Sequence, residues 1–127
     1  MTQSDVTLVE QRYDRVARSY DDYFSRHVAI PQQRLTEAMA LERGHHVVDL
    51  ACGTGLAAVD MAERVYPGGS VTAVDCSEKM LSIAQQRAHH QELELILRHQ
   101  TAEQAVASAA NASWDVISVR FALAYLT

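Results

Sequence analysis

At 127 residues the chain has the length of one ordinary domain, and a hydrophobic content of 48% suffices for a core of moderate size. A formal charge of −5 removes the electrostatic case for nucleic acid or an anionic membrane surface as the main partner, and no apolar stretch approaches the roughly 20 residues that span a bilayer. The polar start, MTQSDVTLVEQ, lacks the basic-then-apolar order of a secretion signal, so a cytoplasmic protein with small-molecule or protein partners is expected. Cys52 and Cys76 show neither a disulfide-framework spacing nor a zinc-site spacing; both read as reduced packing residues, and no metal is expected.

Residues 5 to 26 carry Val9, Tyr13, Val16 and Tyr20 at steps of four and three, which places one apolar and aromatic stripe along a helix. In IPQQRLTEAMALERGHH, Pro31 suits a first helical turn, Leu35, Ala38, Met39 and Leu41 face inward, and Gly44 is the natural stop. From His46 the period changes. HVVDLA is short, apolar and β-branched, as a strand buried on both faces should be, and LAAVDMAERVY returns to helical spacing before the Pro67-Gly68-Gly69 turn. SVTAVD, residues 70 to 75, is the next strand. Ser77 is an N-cap with Glu78 in the first turn, and KMLSIAQQRAHH supplies a further amphipathic helix. LELILRHQ (93 to 100) and WDVISVRF (114 to 121) read as two more strands, joined by a short helix in AEQAVASAANAS. This order predicts an α/β fold: a Rossmann-like parallel sheet of four strands with flanking helices, residues 45 to 127, preceded by a two-helix segment, residues 1 to 44.

Ligands of an open parallel sheet bind at the carboxyl ends of its strands, beside the point where strand order reverses, and Asp49 to Gly55 fall there. Gly53 and Gly55 accept dihedrals denied to other residues and let a ligand lie on bare backbone, next to a helix N-terminus whose free N–H groups favour an anion. Gly53-Thr54-Gly55-Leu56-Ala57-Ala58 satisfies a loose G-x-G-x-x-A dinucleotide fingerprint, and Asp75 follows Gly55 by 20 residues, where an acid at a strand end would hold ribose hydroxyls. A nicotinamide reading leaves unexplained both Asp49, four residues ahead of the first glycine, and the long helical prelude before the first strand.

VVDLACGTG, VTAVDCSEKM and WDVISVRFALAYL resemble the first, second and fourth strand motifs of class I S-adenosylmethionine-dependent methyltransferases, over about residues 46 to 127. RYDRVARSYDDYF is similar to the lid helix of the small-molecule branch of that superfamily, which includes the quinone-biosynthesis methyltransferases. The resemblance implies roles for individual residues. Asp49 would reach the methionine amino group of the cofactor, or else act as a structural loop cap. Ala51, Gly53 and Gly55 would lie against the methionine and ribose portions, with Ala51 standing where glycine is more usual. Asp75 would accept both ribose hydroxyls. Cys76 and Met80 would line the adenine, or pack in the core. Thr101 stands where the family commonly has an aspartate for the adenine amino group, and it hydrogen-bonds with less charge assistance; the Ala102 backbone N–H would serve adenine as well. Tyr13 and Tyr20 would close over the methionine end, or pack as a helix face.

Methyl transfer from a sulfonium needs an in-line nucleophile, and much of the rate comes from positioning and desolvation. His27 and His99 are the histidines nearest the expected pocket; both also read as exposed polar residues, and no catalytic base is assigned. The expected function is the cofactor-binding half of a methyltransferase with a small-molecule methyl acceptor. A catalytically silent partner subunit and an NAD(P)-binding oxidoreductase fragment are the alternatives. The family's sheet continues beyond its fourth strand, so DVISV is expected as an exposed apolar edge, covered by another copy in a homo-oligomer or by a second polypeptide.

Overall fold

The computed structural model describes residues 29–111 and 114–120, together with Thr7, Leu8 and Gln11. Those three isolated residues are helical; the rest of the helix expected over 5 to 26, with Tyr13 and Tyr20, lies outside the described residues, as do His27 and residues 121 to 127. The described elements run α1 (Ala29–Ala38), β1 (His46–Leu50), α2 (Leu56–Val65), β2 (Ser70–Asp75), α3 (Glu78–His90), β3 (Ile96–His99), α4 (Ala102–Ala107), a 3-10 turn (Ser108–Asn111) and β4 (Val116–Val119). All strand pairs are parallel, in the order β3-β2-β1-β4, so the chain reverses direction across the sheet beside β1. This is the Rossmann-like arrangement expected from the alternation.

Register explains the residue types. Val47 pairs with Val71 and Val116, and Asp49 with Ala73 and Ser118; these side chains share one face. There Val47, Val71 and Ala73 pack on Ala58, Met61, Ala62 and Val65 of α2 and Leu81 of α3. On the other face Val48, Leu50 and Val74 pack on Ala105 of α4, with Trp114 beside them, and the Arg98 guanidinium lies 5.8 Å from the Trp114 ring centroid. Because β1 is flanked by strands on both sides and packed on both faces, its apolar run is continuous rather than alternating.

Three expectations are corrected. Helix α1 ends at Ala38, short of Gly44, because Ala40 turns to φ +50° and breaks the ladder. Its inward residues are Gln32 and Thr36; Leu35 and Ala38 are exposed, while Met39 and Leu41 do pack against the core. The polar residues turn in because Thr36 Oγ donates to the Gln32 carbonyl at 3.0 Å and Gln32 receives the Arg120 guanidinium. Finally, β3 begins at Ile96 rather than Leu93: the Leu93 N–H donates to the Ala88 carbonyl at 2.9 Å and closes α3 instead of joining the sheet.

Gly55 sits at φ +85°, and a Cβ there would stand 2.6 Å from the Ala84 Cβ and 2.9 Å from its Cα. Its bare backbone is thus needed first by α3, which lies directly on it. Substitution Gly55→Ala combines a left-handed alanine with an overpacked contact and should destabilise the fold by about 2–4 kcal/mol, measured by urea unfolding. A loss below about 1 kcal/mol would mean that the loop gives way easily.

Candidate functional site

The turn between β1 and α2 carries three residues with left-handed φ: Ala51 at 58°, Gly53 at 58° and Gly55 at 85°. For Ala51 this conformation costs roughly 1–2 kcal/mol, so its surroundings must impose it. They do so by hydrogen bonds from several directions. Cys52 N–H donates to the Val74 carbonyl at 2.9 Å, Gly55 N–H to the Cys52 carbonyl at 3.2 Å, and Arg87 Nε of α3 to the Thr54 carbonyl at 3.1 Å. Gly55, at the N-cap of α2, makes no side-chain capping hydrogen bond.

Asp75 closes the arrangement from β2. Only 3% exposed, it accepts the Gly53 N–H on Oδ2 at 2.8 Å and the Ser77 N–H on Oδ1 at 2.9 Å. Burial pushes its carboxyl above the usual carboxylate range, opposed by the N–H groups of Gly53, Ser77 and Cys76 and by the nearby His99. His99, paired with Asp75 in the ladder, is solvent-exposed as one of its sequence readings had it. Its Nε2 nonetheless bonds the Cys76 carbonyl at 2.9 Å, and its Nδ1 lies 3.4 Å from Glu78.

Asp49 lies on the same sheet face as Asp75 and is 2% exposed. Burial pushes its carboxyl up to about 7, and the like charge of Asp75 adds to this; the Arg120 cation and a hydrogen bond from the Ser118 hydroxyl pull the other way. Arg120 follows β4. Its Nε donates to Ser118 Oγ at 3.0 Å, its Nη1 to the Gln32 side-chain and backbone oxygens at 2.7 and 3.2 Å, and its Nη2 meets the thioether sulfurs of Met39 at 3.1 Å and Met61 at 3.6 Å. Beside it, Gln32, Thr36, Leu56, Ala57 and Asp60 line a cavity of about 190 Å³ between α1 and the start of α2.

The strand ends thus bring Asp49, Ala51, Gly53, Gly55 and Asp75 together. Cys76 is partly buried just beyond Asp75, whereas Met80 is enclosed in the core, its N–H donating to Ser77 Oγ at 3.2 Å. Thr101 follows β3 and caps α4 reciprocally: its hydroxyl accepts the Gln104 N–H at 3.0 Å and its own N–H donates to Gln104 Oε1 at 2.8 Å, with Ala102 opening the helix. Neither Cys52 nor Cys76 forms a disulfide. Among the described residues there is no cluster of metal-ligating side chains, and no helix is long and apolar enough to cross a membrane. Sequence reasoning missed Arg120, Ser118, Gln32 and Arg87. One signal was available: a cation directly after an apolar strand, on the face that carries a buried aspartate.

The Asp49 carboxyl yields a prediction with a definite sign. The folded chain holds its proton up to about pH 7, whereas an unfolded aspartate releases it near 3.8, so this group's contribution to stability is lost as pH rises from about 4 to about 7. Asp49→Asn, which keeps the shape without the charge, should therefore stabilise the fold at pH 8 by up to about 4 kcal/mol and have little effect at pH 4. Urea unfolding at the two pH values checks this, and an equal effect at both would contradict it.

Comparison with known proteins gives the arrangement its lineage. Residues 47–127 match the family model described as a methyltransferase domain. The chain is 32% identical over 94 residues to a malonyl-[acyl-carrier protein] O-methyltransferase of Bacillus cytotoxicus, covering 68% of this chain and 31% of that one. It is 30% identical over 98 residues to a demethylmenaquinone methyltransferase of Listeria welshimeri, covering 73% and 41%. Among solved structures it resembles the magnesium protoporphyrin IX methyltransferase of Synechocystis PCC 6803 with bound SAM, at TM-score 0.68 and 20% identity over 97% of this chain and 64% of that one. A SAM-dependent methyltransferase from Geobacter sulfurreducens in complex with S-adenosyl-L-homocysteine matches at TM-score 0.63 and 22% identity, over 77% and 38%. The chain spans about a third to two fifths of the length of these two curated relatives. With the glycine loop, the paired strand-end aspartates and the parallel sheet in the expected order, the chain belongs to the class I S-adenosylmethionine-dependent methyltransferases.

Proposed function

We propose that this chain binds S-adenosylmethionine at the carboxyl ends of β1 and β2 and forms the cofactor-binding half of an enzyme that methylates a small-molecule acceptor. The observation that carries the reading is the Asp75 carboxylate. It is fixed by two backbone N–H groups at the end of β2 and keeps further lone pairs for the two ribose hydroxyls. Asp49, when ionised, supplies the anion for the cofactor's amino group. Ala51, Gly53 and Gly55 present bare or nearly bare backbone to its methionine and ribose portions. Cys76 borders the adenine with Met80 packed in the core behind it, and Thr101 keeps a lone pair for the adenine amino group beside the Ala102 N–H, while Tyr13 and Tyr20 of the lid segment, residues 1 to 44, close the methionine end.

Bound in this way, the cofactor supplies an electrophilic methyl carbon on a sulfonium. The residues of this chain orient that carbon and exclude water from it, which is the main requirement of an in-line transfer to a nucleophile that arrives deprotonated. The substrates named for the malonyl-[acyl-carrier protein] and demethylmenaquinone enzymes support a small-molecule acceptor, and the acidic composition agrees with a cytoplasmic protein that does not bind nucleic acid.

Calorimetry with S-adenosylhomocysteine tests the binding site. Asp75→Asn should weaken binding by about 2–4 kcal/mol, through loss of a charge-assisted bidentate contact, while circular dichroism stays that of the wild type. Affinity for the wild type should decline as pH falls through about 7, because a protonated Asp49 no longer attracts the ammonium. Unchanged affinity in Asp75→Asn would sink the reading. Binding without methyl transfer to any acceptor would favour the silent-subunit alternative instead.

Assembly forms a second element of the proposal. At the β4 edge Ile117 is 59% exposed and Val119 36%, both on the face of Val48 and Leu50, away from α1. Exposed apolar strand edges recruit further strands or helices, and each such side chain gains about 1.5–3 kcal/mol on full burial. The edge therefore offers a docking surface, and a second copy of the chain is the occupant proposed for it. Light scattering should show an oligomer, with amides 114–120 protected from hydrogen exchange in it. A monodisperse monomer with those amides equally protected would refute this.

A further inference from the structure

The half-buried guanidinium of Arg120 is used by nothing in the proposed binding scheme, yet it joins three elements. Its Nε donates to Ser118 Oγ at 3.0 Å, and the Ser118 hydroxyl in turn donates to the Asp49 carboxylate that it faces across the β1–β4 ladder. Its Nη1 grips the side-chain and backbone oxygens of Gln32 on α1, at 2.7 and 3.2 Å. For Nη2 the acceptors are the Met39 and Met61 thioethers, which are weak ones. A guanidinium in such a place is costly unless a negative charge offsets it, and among the described residues no carboxylate forms a direct ion pair with it. The nearby carboxylates are Asp49, reached through Ser118, and Asp60 of α2, whose Oδ1 already takes Arg64 Nε at 3.2 Å.

We propose that Arg120 is a positioning residue for cofactor binding: through Ser118 it aims the Asp49 carboxyl group, and through Gln32 it latches helix α1 to the end of β4. The fork geometry suits both tasks at once, since Nε serves the strand and Nη1 the helix, and a lysine has no second arm. Donation along Arg120–Ser118–Asp49 polarises each link, so the serine hydroxyl is a stronger donor to the carboxylate than it would be alone. The site charge and the seating of α1 are then set by one group. Other charges facing this network are Asp75 from β2, which opposes ionisation of Asp49, and Asp60, which favours the guanidinium; His99 faces Asp75, and the Cys52 thiol, pushed up by burial, stays neutral.

This inference rests on the reading of Asp49 as the ammonium acceptor, but its first test needs no cofactor. The Asp49 carboxyl carbon is followed by NMR through a pH titration of the full chain in the wild type, Arg120→Met, Arg120→Lys and Ser118→Ala. The midpoint should move upward in Arg120→Met and Ser118→Ala, with partial return in Arg120→Lys. Hydrogen exchange of α1 should speed up ~10-fold or more in both Arg120 variants, because lysine restores the charge and not the latch. Calorimetry with S-adenosylhomocysteine should then show ~10-fold weaker binding at pH 7 in Arg120→Met, recovering at pH 9. An unmoved Asp49 midpoint in Ser118→Ala and in whichever Arg120 variants fold overturns the proposal. A moved midpoint in a chain whose wild type fails to bind S-adenosylhomocysteine supports the role of Arg120 and instead defeats the cofactor reading.

Discussion

One carboxylate organises the carboxyl end of the sheet. Asp75 accepts an N–H from the loop after β1 and another from the turn after β2, so a single buried side chain fixes two connections that are far apart in sequence. Buried backbone N–H groups must find acceptors, and this loop supplies one from within for Gly55 but takes the acceptor for Gly53 from elsewhere. The Gly53 N–H finds its acceptor on the neighbouring strand. With that bond in place the loop lies close enough to α3 for Arg87 to reach the Thr54 carbonyl and for Ala84 to press on Gly55. Position 55 is therefore glycine because a helix occupies the space, and position 53 serves the carboxylate with its N–H. The two glycines of one motif answer different physical demands.

That solution concentrates unfavourable terms in one place. Asp49 and Asp75 share a sheet face, both are almost fully buried, and the charge of Asp75 raises the affinity of Asp49 for a proton. Ala51 is held in a conformation that alanine resists. The core on either side shows no such conflict: valines and alanines meet methionine, leucine and alanine across both faces of β1. The buried core of β1 and β2 thus agrees with its sequence, and the conflict between packing and charge is concentrated at the strand ends, where a ligand site is expected to depart from its own stability optimum.

Much of this was legible before any coordinates. The switch from helical spacing to the apolar run at His46, the Pro67-Gly68-Gly69 turn and the Ser77 cap located β1, α2, β2 and α3 to within a residue or so, because each rests on local chemistry. The paired aspartates were legible for the same reason: an acid ending an apolar strand is an anomaly within a few residues. What escaped was whatever depends on a distant partner. The orientation of α1 followed Arg120, 88 residues away from Gln32, and not the amphipathic pattern that pointed Leu35 and Ala38 inward. The shortening of β3 is a local exception: it followed a helix-closing bond from Leu93 back to Ala88, which no periodicity encodes. Thr101 shows the limit of a motif, since the position matched by resemblance to an adenine contact is also a complete capping box.

The two sides of the sheet differ in a way that bears on how the site works. Asp49, Ser118 and Asp75 point to the side of α1, α2 and α3, where helices exclude water and every charge has a fixed donor nearby. Ile117 and Val119 point to the other side, where α4 covers β2 and leaves β4 open among the described residues. Alternation along β4 thus separates two surfaces residue by residue: Ser118 faces Asp49, and its neighbours on either side, Ile117 and Val119, present exposed apolar side chains. A partner docking on Ile117 and Val119 would grip the same four-residue strand that holds Arg120 in place. Since bonds through Ser118 and Gln32 fix that guanidinium, any shift of β4 along β1 moves Arg120 relative to Asp49 by the same amount. Under the assembly proposed above, the apolar edge and Ser118, which bonds Arg120, lie on one short strand, so covering that edge would also hold Ser118 opposite Asp49.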